Sequence, residues 1–185
     1  MQLLLVAGVV LIFFSACSND MEKIKFFDKK EMPYQTVKNA EILQSKNGKV
    51  QVQLIAPTIR KYTGNNARTE YPDGVFIQFF DDDKHVKSSL SSKYAIDWER
   101  KNIMQARNNV VLIDYQSGDT TYMETLIWNK NTKKIFTNNP LMSVNGQRVT
   151  YGDGFESDDA FENPHIIHQR GTLEWDDEEV EADEE

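Results

Sequence analysis

The sequence predicts an all-β fold of antiparallel strands, and three observations predict it. Short segments alternate apolar and polar residues with a period of two, as in Met123-Glu124-Thr125-Leu126-Ile127-Trp128. There Leu126 and Trp128 share one face with Glu124, while Met123, Thr125 and Ile127 share the other. Clusters of Asn, Gly and Pro separate such segments at Asn129–Lys134, Asn138–Pro140, Asn145–Gln147 and Gly152–Gly154. Third, no window of about eleven residues or more carries helical spacing.

The elements follow in order. Ala40–Leu43 and Lys49–Ile55 read as two strands joined by a turn at Lys46-Asn47-Gly48. Pro57 is expected to end the second, and Thr58–Tyr62 to form another before the loop Thr63–Asn66. Tyr71-Pro72-Asp73-Gly74 has Pro and Gly where turn geometry favours them. Val75–Phe80 is apolar on both faces, which suits core on one side and a ligand or partner on the other. Asp81-Asp82-Asp83 reads as a solvated hairpin turn, because no further spaced acids complete a calcium loop. Val86–Trp98, Ile103–Arg107 and Val110–Tyr115 continue the series. Glu156–Asn163 is an acidic loop ended by Pro164. In His165–Arg170, His165 and His168 fall on opposite faces, so they do not pair on a metal. Thr172–Trp175 is the last strand. An ungapped shift of 30 residues places Ile96 on Leu126, Trp98 on Trp128, Asn108-Asn109 on Asn138-Asn139 and Val111 on Leu141. Such a period is typical of stacked β-units.

Composition bounds the function. Hydrophobic residues make up 39% and aromatics 11%, which is ordinary for a globular chain and excludes wholesale disorder. The net charge of −8 is a tail effect, since residues 174–185 hold nine of the 29 acidic groups and no basic one. The rest is nearly neutral with no concentrated basic face, which argues against nucleic acid. The carboxylates sit in turns and in the tail, so no paired acid and base supports an enzyme. No cofactor or metal is expected.

Leu3–Phe14 is an apolar run of 12 residues, too short to span a bilayer and right for a signal peptide. It leads into Phe14-Ser15-Ala16-Cys17, which resembles a bacterial lipobox, so Cys17 is the expected lipidation site and membrane anchor. A plain cleaved signal or a buried thiol is the other reading. The expected organisation is a signal peptide over 1–16, a lipidated tether over 17–35, a β-domain over 36–175 and a disordered acidic tail over 176–185.

Met123-Glu124-Thr125-Leu126-Ile127-Trp128, Ile135-Phe136-Thr137, Asn139-Pro140, Gly146 and Gly152-Asp153-Gly154-Phe155 together resemble the C-terminal half of the LptC family. These are the periplasmic components of the lipopolysaccharide export bridge. The resemblance covers roughly Thr36–Trp175 and implies an open β-jelly roll, antiparallel strands folded into a V around an apolar groove. It implies a protein without enzymatic activity, on the periplasmic side of the inner membrane of a Gram-negative bacterium. Such a protein takes lipopolysaccharide from an inner-membrane ABC transporter and passes it to the next β-jelly roll through edge-strand addition. Better-known members carry an uncleaved transmembrane helix, for which a lipidated Cys17 would substitute. The residues expected to line the groove are Val52, Leu54, Ile77, Phe79, Ile96, Trp98, Leu126, Trp128, Phe136 and Phe155. The joining edges are expected at His165–Arg170 or Thr172–Trp175, and at Ala40–Leu43 or Val50–Leu54. The competing reading is a surface lipoprotein that binds glycan or protein, with Trp98, Trp128 and Tyr122 as stacking platforms. Another jelly-roll member of the bridge, such as its soluble linker, is the third.

Overall fold

The computed structural model describes residues 32–159 and 161–174. The expected signal peptide, Cys17 and the acidic tail therefore lie outside the described residues. Among the described residues fourteen strands follow one another: β1 (Gln35–Lys46), β2 (Lys49–Tyr62), β3 (Arg68–Tyr71), β4 (Val75–Phe80), β5 (Val86–Ser92), β6 (Tyr94–Trp98) and β7 (Ile103–Asp114). They continue as β8 (Thr120–Asn129), β9 (Lys134–Thr137), β10 (Leu141–Asn145), β11 (Arg148–Gly152), β12 (Gly154–Asp158), β13 (His165–Ile167) and β14 (Gly171–Glu174). The fold is all-β and every ladder is antiparallel, as a jelly roll or sandwich requires.

The pairings sort into two layers that share their long strands. One, layer A, runs from β1 through the first half of β2, β4, β5, the second half of β7, the first half of β8, β10 and β11 to β14. The other, layer B, runs from β1 through the second half of β2, β3, β6, the first half of β7, the second half of β8, β9 and β12 to β13. The chain crosses between layers again and again, and the crossings lie side by side in a seam. Thr58 donates to Asp73 at 2.5 Å, Lys93 N–H donates to Asn108 O at 3.0 Å, and Thr125 Oγ1 donates to Asn139 Oδ1 at 2.6 Å. Beyond them the Arg170 guanidinium pairs with Asp153.

Residue choice explains the seam. Asn39, Asn108 and Asn109 take φ of 49°, 64° and 58°, left-handed values that Asn tolerates better than most side chains. In β7 the pair makes a bulge against β8, between Arg107 and Val110. Pro57 does not end its strand, contrary to the sequence expectation. β2 runs through it to Tyr62, because Pro57 stands opposite Asn39 at a gap in the ladder and its missing N–H orphans no partner. Thr58–Tyr62 is thus the far half of β2.

Gly152 and Gly154 serve the seam in another way. Neither has positive φ; both sit where backbones approach closely. A Cβ on Gly154 would lie 2.7 Å from Thr137 O, a backbone atom that cannot swing aside. Gly154→Ala is expected to lower stability by about 1–3 kcal/mol, the usual cost of forcing extra carbon into a packed site. Thermal unfolding would measure it, and an unchanged midpoint would refute the close-approach argument.

The 30-residue repeat is real in architecture but one residue short in phase. Ala95, Ala106 and Leu126 lie in one cross-strand row, so Leu126 answers to Ala95 and Ile96 faces the other way. With the longer offset Met104 answers to Ile135, Ala106 to Thr137 and Val110 to Leu141, all facing between the layers. Aligning on bulk hides this, because the inward residue of the earlier unit is the small Ala95.

Buried residues of both layers form one core cluster, including Ala56, Ile59, Ile77, Leu90, Val110, Leu112, Leu126 and Phe155. Tyr71 belongs to it at 7% exposure. Burial, then the nearby Asp97 carboxylate, pushes the Tyr71 hydroxyl up to about 12. The folded form holds that proton more tightly than the unfolded chain does. Its contribution is therefore full below pH ~10 and lost as pH rises toward 12, a difference of about 3 kcal/mol. Denaturation midpoints should fall across this window, and Tyr71→Phe should flatten the fall.

Candidate functional site

Between the two layers the core is not filled. An apolar cleft of roughly 150 Å³, open on one side, lies between them. Layer A contributes Ile42, Gln44, Val52, Leu54, Ile77, Phe79 and Leu90; layer B contributes Met104, Ala106, Leu126, Trp128 and Ile135. Strand register explains why these side chains meet. Ile42, Leu54, Ile77 and Leu90 form one row across layer A, and Gln44, Val52 and Phe79 form the next. Ala106 with Leu126, and Met104 with Trp128 and Ile135, form the facing rows of layer B.

Phe161, from the loop after β12, lies over the cavity and meets the Phe79 ring edge-on at 5.0 Å between centroids. Such aromatic pairs prefer this geometry. On the same side Lys87 Nζ stands 4.0 Å from Glu162 Oε1, again linking the layers. A second, polar cavity of roughly 700 Å³ adjoins the first and shares Gln44, Val52, Phe79 and Trp128 with it. Its other walls include Lys46, Lys87, Lys133, Asp81, Asp82, Asp159 and Glu162, so cations and anions both line the rim. Asp81 is a turn residue, as the sequence suggests, with Oδ1 accepting N–H bonds from Asp83 and His85 at 2.9 Å each. The backbone bond from His85, foremost, holds its carboxyl below the usual range. The whole is an amphipathic cleft, apolar within and charged at the rim.

Of the ten residues expected to line the groove, Val52, Leu54, Ile77, Phe79, Leu126 and Trp128 come together on this cavity. The other four do not. Ile96 and Trp98 lie on the outer face of layer B, because β6 directs Ala95 and Asp97 inward; Ile96 is nevertheless buried. Phe136 pairs with Ile127 and Glu156 on that outer face, while its neighbour Ile135 points in. Phe155 does face inward but lines a different cavity, with Leu112, Thr121, Ser143 and His165. Ile42, Gln44, Leu90, Met104, Ala106, Ile135 and Phe161 were missed by sequence reasoning. Hairpin register could have found Ile135, which Trp128 faces across the turn. Nothing marked Phe161, an apolar residue in an acidic loop, or Ala106, which matters because it is small.

Compared with family models and with curated proteins, the chain matches none.

The supposed stacking platforms do not come together. Trp128 faces between the layers, Trp98 faces outward on layer B with Lys101 Nζ 5.7 Å from its ring centroid, and Tyr122 is exposed on layer A. Among the expected joining edges, β1 pairs with β2 alone among the described residues. Val50–Leu54 is interior, flanked by β1 and β4. At the far side β14 ends layer A and β13 ends layer B. Among the described residues no helix is long and apolar enough to cross a membrane.

Proposed function

We propose that this protein shelters the acyl part of lipopolysaccharide in the cleft between its layers and hands it on. In this reading it is the periplasmic, membrane-anchored member of an LptC-like export bridge, held on the inner membrane by a lipidated Cys17. It accepts lipid from an ABC transporter and passes it to another β-jelly roll joined at the free edge of β1 or of β13 and β14. One observation supports the reading most: an apolar cavity walled by both layers opens onto a charged rim. Each buried CH₂ is worth about 0.8 kcal/mol, so an acyl chain gains strongly from such a wall. Hydrophobic contact is also non-directional, which lets the chain slide. An unpaired strand edge is a ready template for a further strand.

The test uses strand alternation as its own control. A photoreactive residue replacing Leu126 faces the cavity, and one replacing Ile127 faces the outside of the same strand. Irradiation in cells should attach lipopolysaccharide to position 126 and not to 127. Equal labelling at both, or none at 126 in folded protein, would overturn the reading.

A further inference from the structure

Among the described residues a few buried side-chain polar atoms lack a partner, and one of them belongs to Trp128, which lines the cavity. Trp128 Nε1, Asp97 Oδ1 and Ser157 Oγ are buried without a hydrogen-bond partner. All three residues belong to one row across layer B, the row of Asp97, Met104, Trp128, Ile135 and Ser157. Facing it, Ser88 Oγ in layer A is buried and unpartnered too, in register with Phe79. Leaving such groups unmatched is costly, and an indole N–H can only donate. The Trp128 ring is also held in place: Lys130 Nζ lies 5.3 Å from its centroid and is itself bonded to Asp97 Oδ2 at 2.5 Å. The neighbouring row, Ala106 with Leu126, offers hydrocarbon alone, and Leu54 and Ile77 face it.

We propose that the Trp128 row recognises a carbonyl: Trp128 Nε1–H donates to the ester or amide carbonyl of an acyl chain whose tail lies among Leu54, Ile77 and Leu126. This rests on the reading of the cleft as a lipid site and adds the chemistry it selects. A ligand with its first oxygen acceptor at this level satisfies the indole while its hydrocarbon fills the apolar rows. Its headgroup then reaches the charged rim, with which Trp128 is shared. An ether-linked chain presents a far weaker acceptor there and leaves the donor unmatched.

The experiment titrates the full-length chain with a 1-acyl lysophospholipid and with its ether-linked 1-alkyl counterpart, of equal chain length and headgroup, below their micelle concentrations. The wild-type protein should bind the acyl form about three- to tenfold more tightly, the worth of one hydrogen bond. Trp128→Phe keeps an aromatic ring and removes the donor, so whatever it does to both affinities it should bring their ratio to about one. Equal wild-type affinities, or a preference that survives Trp128→Phe, would overturn the carbonyl assignment while leaving the lipid cleft standing. Binding of neither amphiphile would overturn both. Should Trp128→Phe not fold, the indole N–H resonance of Trp128 in isotope-labelled wild-type protein decides. It should move downfield with the acyl form and not with the alkyl form, and equal or absent movement refutes the assignment.

Discussion

Leu126→Asp should produce a chain that no longer folds stably at neutral pH. Leu126 is 3% exposed, stands between Ala106 and the second half of the layer, and looks into the apolar cavity. Among the described residues no cation lines that cavity, so a carboxylate there has no charge partner within an apolar wall. Removing the side chain alone, as in Leu126→Ala, should cost about 2–5 kcal/mol. Adding an unpaired charge raises the cost toward the whole stability of an ordinary domain, ~5–15 kcal/mol. Burial would also raise the new carboxyl's pKa, since the charged form is the one disfavoured. A raised folded value means that the variant does best below the unfolded pKa of ~3.9 and worsens as pH climbs. Chemical denaturation at acid and neutral pH should show that partial acid rescue. A Leu126→Asp protein as stable as wild type at neutral pH would mean that this row is wet.

Ala106→Leu should have the opposite character, with stability kept and lipid lost. Ala106 is 4% exposed and lines the cavity beside Leu126. The added isopropyl group enters space that is already apolar, so it fills a void instead of forcing neighbours apart. Stability should hold or rise by up to about 2 kcal/mol. The same atoms occupy the room that an acyl chain needs, and lipid capture should fall at least about tenfold, or roughly 1.4 kcal/mol. Unfolding curves and the Leu126 photocrosslink, measured side by side, check both halves. Loss of folding together with loss of lipid would show that the cavity has no slack. Undiminished capture would place the lipid elsewhere.

The fold was legible because strand alternation and turn chemistry are local. Gly48, Gly74 and the Asn-rich clusters at 129–134 and 138–140 sit at turns or crossings, but Val86–Trp98 breaks into β5 and β6, and β12 takes the first residues of the expected loop Glu156–Asn163. The site was only half legible, for reasons of geometry. Which face of a strand looks inward is settled by its partner and not by its own bulk. Ile96 and Phe136 are larger than Ala95 or no smaller than Ile135, yet the pairing with Ala106 and Trp128 turns the neighbours inward. Hydrophobic size pointed to the wrong parity in both strands. Leu90, inside the serine-rich Ser88-Ser89-Leu90-Ser91-Ser92, illustrates the converse. Its strand reads as polar because Ser88 and Ser92 are themselves buried. The continuity of β2 through Pro57 could not be read either, since it depends on Asn39, a residue on another strand.

The seam along which the strands cross has a mechanical consequence. All the covalent passages between the layers described above run down one side, while the turns at Gly48, Asp81–His85, Asn129–Lys134 and Asp159–Pro164 lie at the opposite ends of their strands. There, among the described residues, the bridging contacts are light, the edge-on pair of Phe79 and Phe161 and the Lys87–Glu162 ion pair, each worth on the order of 1 kcal/mol. The two halves can therefore part like the covers of a book without breaking a ladder hydrogen bond. The width of the gap between them can then change at little energetic cost.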